Sequence, residues 1–371
     1  MPQIHFTFYL LSTLLIIQLY FFLRYIIKLL NYNSSDETSD LHPTSVVICA
    51  HNEFDNLQNH LPSILTQQHA NYEVIVVDDR SHDQSYDWLL EQKKAYPHLK
   101  VIRIDEVPNH INNKKYALTI GIKAAKNEFI LLTDADCEVK SKLWVDRMSQ
   151  SFNQSTDFVL GASLYQKRKG FLNQLIQFET YKTAMLYLSK ALVSKPYMGV
   201  GRNLAYRKSL FLRQKGFHGY QSLTGGDDDL FVNKHANNKN TRISISSESV
   251  TYSIPKTNWS AYNLQKKRHY SVGKYYHRSD KLFLASIQLS TGLIYLSYIL
   301  GLIFLSRNFI LISSSLMLVR WVGQYVAYLK LSIKFGDKYQ PWLLPVIEIF
   351  ELFYYFVIGL RAIRSKRIRW K

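Results

Sequence analysis

The sequence predicts an α/β domain on a mainly parallel sheet, flanked by transmembrane helices. Three observations carry that expectation. Between residues 45 and 136, short apolar runs alternate with segments of helical spacing. Each apolar run ends in polar residues, with Asn52-Glu53, Asp78-Asp79 and Asp134-Asp136 following three of them. Long apolar stretches lie at both ends of the chain, the first of them free of charge from Ile4 to Leu23.

The first stretch continues to Leu30 past Arg24 and Lys28, long enough to cross a bilayer at about 1.5 Å per residue. Its basic residues follow the apolar core, unlike those of a cleavable signal peptide. Lys and Arg favour the cytosolic side, so the domain that follows is expected in the cytosol. Residues 31–42 read as a polar linker. Ser45-Val46-Val47-Ile48-Cys49-Ala50 is then a buried strand. Leu57, Leu61, Ile64 and Leu65 have helical spacing. Tyr72-Glu73-Val74-Ile75-Val76-Val77 is a second strand, ending in Asp78-Asp79. Val101 to Ile104 form a third, helical spacing returns from Lys115 to Ala125, and Phe129-Ile130-Leu131-Leu132 is a fourth, ending in Thr133-Asp134-Ala135-Asp136. In open sheets of this kind ligands bind beyond the carboxyl ends of the strands. Asn52-Glu53, Asp78-Asp79 and Asp134-Asp136 all fall on that edge.

Residues 171–192 fit either a helix on the membrane surface or a core-facing helix. Residues 282–306, 309–331 and 342–360 are further spanning candidates, interrupted by Arg320, Lys330, Glu348 and Glu351. If every one spans, the basic tail lies outside, against the positive-inside rule. One C-terminal segment, the last, is therefore expected in the interface or re-entrant. The domain plan is a helix at 1–30, a linker at 31–42, a cytosolic domain at 43–275, membrane helices at 282–362 and a basic tail at 363–371.

The 371 residues include 46 Lys and Arg against 28 Asp and Glu, a net charge of +18. That balance suits anionic lipid beside membrane segments better than nucleic acid, because no dense basic block occurs before residues 361–371. Two cysteines, Cys49 and Cys137, make no disulfide framework and fit a reducing compartment.

Four elements carry chemistry. Asp134 and Asp136 offer the hard oxygen ligands that suit Mg²⁺ or Mn²⁺ bridging to substrate phosphates, and equally suit a capped turn. Asp78 and Asp79 could accept hydrogen bonds from a nucleoside, or form an Asp-rich turn. Thr224-Gly225-Gly226-Asp227-Asp228-Asp229 sets three acids side by side. Their repulsion raises the pKa of one, as a general base requires, and the run also fits a helix N-terminus. Gln265 and Arg268, with Lys266 and Lys267, could neutralise a departing diphosphate or form a juxtamembrane basic patch.

In this order the four elements resemble the family 2 glycosyltransferases. The family's opening matches Ser45 through Glu53, its nucleotide-binding acids Asp78-Asp79, and its Lys-x-x-Ala-Leu element Lys114-Lys115-Tyr116-Ala117-Leu118, with Asn113 where Gly is usual. Its metal motif matches Asp134-Ala135-Asp136 and its acceptor-side segment Gly201-Arg202-Asn203-Leu204. The base motif, often Glu-Asp, is Gly226-Asp227 here. The Gln-x-x-Arg-Trp motif matches at Gln265 and Arg268 with His269 in place of Trp, which turns the expectation from a processive polysaccharide synthase to a single transfer.

The resemblance covers residues 45–270 and implies a GT-A, Rossmann-like nucleotide-sugar-binding domain. By that likeness Asp79 and Asp78 hold the base and ribose, with Asn52 and Glu53 also on the substrate. Asp134 and Asp136 hold Mg²⁺ or Mn²⁺, and Lys114, Gln265 and Arg268 contact the donor. Asp227 or Asp228 deprotonates the acceptor in an inverting displacement. The implied partners are a nucleotide-sugar donor, a lipid-linked or glycan acceptor and membrane lipids, with no nucleic acid. The implied setting is a bacterial cell membrane and envelope glycan synthesis. The alternatives are a processive polysaccharide synthase and a membrane protein that binds nucleotide sugar without catalysis.

Overall fold

The computed structural model describes residues 2–33, 41–304 and 306–364. Most of the linker expected at 31–42 and of the basic tail expected at 363–371 lies outside these. In chain order the elements begin with helix α1 (Pro2–Phe21), a π-helical turn (Phe22–Ile26) and α2 (Ile27–Leu30). The domain then runs β1 (Thr44–Ala50), α3 (Phe54–Leu65), β2 (Tyr72–Asp79), α4 (Ser85–Ala95), β3 (Leu99–Ile104), α5 (Asn113–Ala124), β4 (Phe129–Leu132), β5 (Cys137–Val139), α6 (Trp144–Gln150), β6 (Phe158–Gly161), β7 (Ser163–Tyr165) and α7 (Phe171–Val193). A 3-10 turn (Gly201–Asn203) leads to β8 (Leu204–Arg207), α8 (Lys208–Arg213), α9 (Asp229–His235), β9 (Thr241–Ser244), β10 (Thr251–Ser253) and α10 (Trp259–Gly273). Three long helices close the described chain: α11 (Arg278–Phe304), α12 (Arg307–Lys334) and α13 (Leu344–Arg364).

The main sheet has the order β3-β2-β1-β4-β8-β6-β9. Strand β1 sits inside it, parallel to β2 from Thr44↔Tyr72 to Ala50↔Asp78 and parallel to β4 from Thr44↔Phe129 to Val47↔Leu132. This register stacks the carboxyl ends of β1, β2 and β4 on one edge. Successive side chains of a strand face opposite ways. Val46, Ile48, Val74 and Val76 therefore pack with Leu57, Leu61, Ile64 and Trp144 on one face. Val47, Ile75, Val77 and Ile130 pack with Ala117, Leu118 and Ile122 on the other.

One strand of the main sheet is reversed, since β6 and β9 again pair in parallel. Strand β8 runs antiparallel to both β4 and β6. Its reversal puts the start of β8, rather than its end, on the ligand edge. A second sheet of order β5-β10-β7 covers that edge from the side.

Helix α7 is a core helix: Leu175, Ile176, Phe178, Tyr181, Ala184, Tyr187 and Leu188 are all buried. Among the described residues, three helices are long and apolar enough to cross a membrane, Thr7–Leu30, Arg278–Phe304 and Arg307–Lys334. Their outward faces are apolar, with Ile16, Leu282, Ile303 and Val319 exposed. Two of the charges that interrupt the last segments pair with each other. Arg320 of α12 clasps Glu348 of α13 through two hydrogen bonds of 2.8 Å, and Gln18 of α1 accepts from Arg320 at 2.8 Å.

Candidate active site

A cavity of about 1630 Å³ opens at the carboxyl edge of β1, β2 and β4. Its floor begins with Cys49, His51, Glu53 and Asp79, each delivered by a strand end or the loop after it. Asp78 and Asp79 are adjacent in β2, so their side chains diverge. Asp79 lines the cavity and accepts from Arg80 Nε at 2.8 Å. Asp78 points the other way, fully buried, and accepts from the Ser81 N–H at 3.4 Å. Asn52 is also set back from the wall. Its left-handed backbone (φ 54°) is a conformation Asn tolerates, and its side-chain Oδ1 accepts from the His82 N–H at 2.8 Å. Asn52 and Asp78 thus shape the strand-end loops, while Glu53 and Asp79 face the cavity. Burial, with Asp136 and Asp134 nearby, raises the Glu53 carboxyl above its usual range despite a bond from Asn56.

The Asp134 carboxylate accepts from Lys114 Nζ at 2.8 Å, and the same ammonium lies 3.5 Å from Asp227 Oδ2. Lys114 comes from the first turn of α5, whose N-terminus is capped by the Asn112 side chain at 3.4 Å. Burial works against charge on Lys114, but Asp134 and Asp227 outweigh it and hold the amine well above its usual range. Burial likewise opposes ionisation of Asp134, and Lys114 outweighs it, so this carboxyl stays below its usual range. Two acids distant in sequence therefore share one cation. Asp136, two residues on, accepts from Ser253 Oγ of β10 at 3.3 Å.

The acid run divides sharply. Asp228 caps α9: one oxygen accepts from the Asp229 N–H and the other from the Gly201 N–H, each at 2.7 Å. Asp229 accepts from Tyr276 OH at 2.8 Å and from the Leu230 N–H at 2.7 Å. Burial, Asp227 and a weaker pull from Lys114 leave the Asp228 carboxyl raised, and burial with Asp228 pushes Asp229 up to about 8. Asp227 receives no backbone N–H bond among the described residues and faces Lys114. The glycines ahead of it are required by shape. Gly226 has φ 83°, and a Cβ there would lie 2.7 Å from Leu230 Cδ1. Buried Lys115 ties this loop down by donating to the Leu223 carbonyl at 2.6 Å and to that of Gly225.

On the opposite wall, α10 presents Gln265 and Arg268 to the same cavity, with His269 beside them. Gln265 donates to Tyr165 OH at 3.1 Å, and the Arg202 guanidinium lies 4.2 Å from the centre of the Tyr165 ring. Arg202 Nη1 is buried with no hydrogen-bond partner among the described residues. Arg202 reaches the site because β8 is antiparallel, and its carbonyl accepts from Thr133 Oγ1 at 3.0 Å. In the sequence Arg202 falls in the acceptor-side motif without a role at the site, and neither Ser253 nor Tyr165 carries a motif. Strand pairing, which the sequence pattern does not show, brings all three in.

Among the described residues no three His, Cys, Asp or Glu side chains gather as a complete metal cage. The donor set that is present suits a different arrangement. Asp134 and Asp136 supply the one or two carboxylates with which Mg²⁺-like ions are commonly held when substrate phosphates complete the shell.

The sequence profile of Glycosyl transferase family 2 matches residues 45–213. Residues 45–213 are a family 2 glycosyltransferase domain. The family 2 match contains Asp79, Lys114, Asp134, Asp136 and Arg202; Asp227, Gln265 and Arg268 lie beyond it. Glycosyltransferase AglE of Haloferax volcanii is 28% identical over 180 residues, 48% of this chain and 54% of that protein. Poly(ribitol-phosphate) beta-glucosyltransferase of Bacillus spizizenii is 33% identical over 119 residues, 32% of this chain and 18% of that protein. The chain thus spans about half or less of the length of these relatives. The mannosyltransferase PcManGT of Pyrobaculum calidifontis, solved with GDP-Man and Mn²⁺, superposes with a TM-score of 0.61 over 97% of this chain and all of that one, at 15% identity. That likeness is one of fold: the chain has the GT-A architecture.

Proposed function

We propose that this protein is a membrane-bound glycosyltransferase that moves a sugar from a nucleotide-diphosphate sugar to a lipid-linked acceptor. One observation carries the reading. The cavity that begins at Asp79, Asp134 and Asp227 continues without a break between α7, α10, α11 and α13 to Leu289, Leu293, Leu296, Leu352 and Phe356. A charged end suits a nucleotide diphosphate, and an apolar end suits an acyl or prenyl chain. The apolar end lies between helices that also bear outward apolar faces, as a membrane protein would require.

In this reading Asp79 and Glu53 contact the nucleoside, and Lys114, Arg202 and Arg268 surround the diphosphate. Asp134 and Asp136 would hold a divalent ion there, supplying charge neutralisation for the leaving group. Asp227 accepts the proton of the acceptor hydroxyl. The freed oxygen attacks the anomeric carbon from the face opposite the diphosphate, and the bond from that carbon to the phosphate oxygen breaks. Inversion follows from a single displacement. Asp227 suits the role better than Asp228, because both Asp228 oxygens are engaged by backbone N–H groups.

The test is a screen of nucleotide sugars with the purified full-length protein, with and without Mn²⁺. Metal-dependent release of nucleoside diphosphate supports the reading. No release from any donor, with binding retained, would make the protein a nucleotide-sugar binder instead.

A further inference from the structure

Midway along the cavity stands a second polar cluster that the transfer chemistry does not use. Glu179 of α7 is 2% exposed and Glu351 of α13 is 1% exposed. One oxygen of Glu179 is held by Lys266 of α10, at 2.5 Å, and by Tyr262 OH. One oxygen of Glu351 is held by Lys182 of α7, which also reaches the Gln288 carbonyl oxygen of α11 at 3.4 Å. The remaining atoms are unmatched. Glu179 Oε1, Glu351 Oε1 and Gln288 Nε2 are buried with no hydrogen-bond partner among the described residues. Glu179, Lys182, Lys266, Gln288 and Glu351 all line the cavity, as do the rings of Tyr270 and Tyr355.

We propose that this cluster is a subsite for the hydroxyl-rich headgroup of the lipid acceptor. The inference rests on the lipid-acceptor reading above and adds the class of headgroup. Unmatched buried polar atoms are costly, and here they are two acceptors and one donor in one place. Hydroxyl groups serve both, donating to the carboxylates and accepting from the amide. A bare phosphate serves neither acceptor. The two lysines are already neutralised by the two glutamates, so the cluster holds no surplus positive charge to attract an anion. Tyrosine rings add apolar faces of the kind that lie against the C–H side of a sugar. Position agrees with chemistry. Lys266 stands two residues before Arg268 on α10, and Gln288 stands one residue before Leu289 on α11. The subsite therefore lies between the charged end and the apolar end, where a headgroup would sit.

The experiment uses the full-length protein in phosphatidylcholine nanodiscs. Two probes with the same short acyl chains are titrated: a glucosyl diacylglycerol and a phosphatidic acid. The glucosyl lipid is expected to bind at least about ten-fold tighter. Glu179→Gln and Gln288→Leu should each weaken it by about ten-fold, the size of one lost hydrogen bond, while phosphatidic acid is unaffected. Gln288→Leu leaves both ion pairs in place, so it carries the test if Glu179→Gln lowers the unfolding temperature. Equal binding of the two probes, tighter phosphatidic acid, or glucosyl binding unchanged in Gln288→Leu would overturn the subsite. A wild-type protein that releases no nucleoside diphosphate from any donor would instead overturn the glycosyltransferase reading, whatever the probes do.

Discussion

The two acidic motifs on the cavity, Asp134-Ala135-Asp136 and Asp227-Asp228-Asp229, look equally plausible as chemistry and are built in opposite ways. All five acids line the cavity, and in the first motif Asp134 shares Lys114 while Asp136 takes a bond from Ser253. In the second, two of three acids are committed to holding the fold. Asp228 ties the α9 N-terminus to Gly201, and Asp229 ties it to Tyr276. Only Asp227 turns to the cation that Asp134 also uses. Density of charge along the chain is thus a poor guide to function. What matters is whether backbone donors have already taken the oxygens.

That contrast can be broken at each position. Asp227→Asn should give the largest effect, a loss of turnover on the order of 10²–10⁴-fold with donor binding retained. Near-normal turnover, measured as nucleoside diphosphate release, would end its role as base. Asp136→Asn comes next. It should weaken Mn²⁺-dependent donor binding by roughly 10²-fold, a loss comparable to removing one stabilising group at a transferring phosphate, and leave metal-free binding little changed. Titration calorimetry at several Mn²⁺ concentrations separates the two.

Asp228→Ala is expected to act on the fold. It removes a helix cap and strands the Gly201 N–H, a cost of about 1–3 kcal/mol seen in chemical denaturation. A variant as stable as the parent would show that the cap is dispensable. A pH-dependent effect concerns Asp229. Its folded pKa, near 8, lies above the usual carboxyl value of 3.8, so the folded state holds its proton longer than the unfolded state. The stability it contributes is full below pH 3.8 and is lost as pH rises through 8. Asp229→Asn should therefore melt progressively higher, relative to the parent, between pH 5 and pH 8.5. A constant difference across that range would place the shift elsewhere.

The sequence made the first half of the domain legible because it is local. Apolar runs of strand length alternating with helices favour a parallel sheet, and that sheet puts Glu53, Asp79 and Asp134 on one edge. The second half was opaque for a physical reason. Strand β8 is only Leu204–Arg207, and nothing in so short a run says that it pairs antiparallel with β4. Arg202 and Ser253 were missed with it, since long-range pairing alone delivers them. Period-two alternation could have separated Asp78 from Asp79, because one of two adjacent strand residues must face away. Helix α7 carries apolar residues nearly all round, which suits a membrane surface or a core, and packing on both sides decided for the core.

The central claim is that one cavity joins a sugar-nucleotide end to a lipid end. Its most direct test is to incubate the full-length protein in membranes with labelled nucleotide sugars and Mn²⁺, then extract with organic solvent. Label from one donor is expected to enter the lipid phase, and Asp227→Asn to prevent it. Label found only in water-soluble product, with Asp227→Asn as active as the parent, would contradict it.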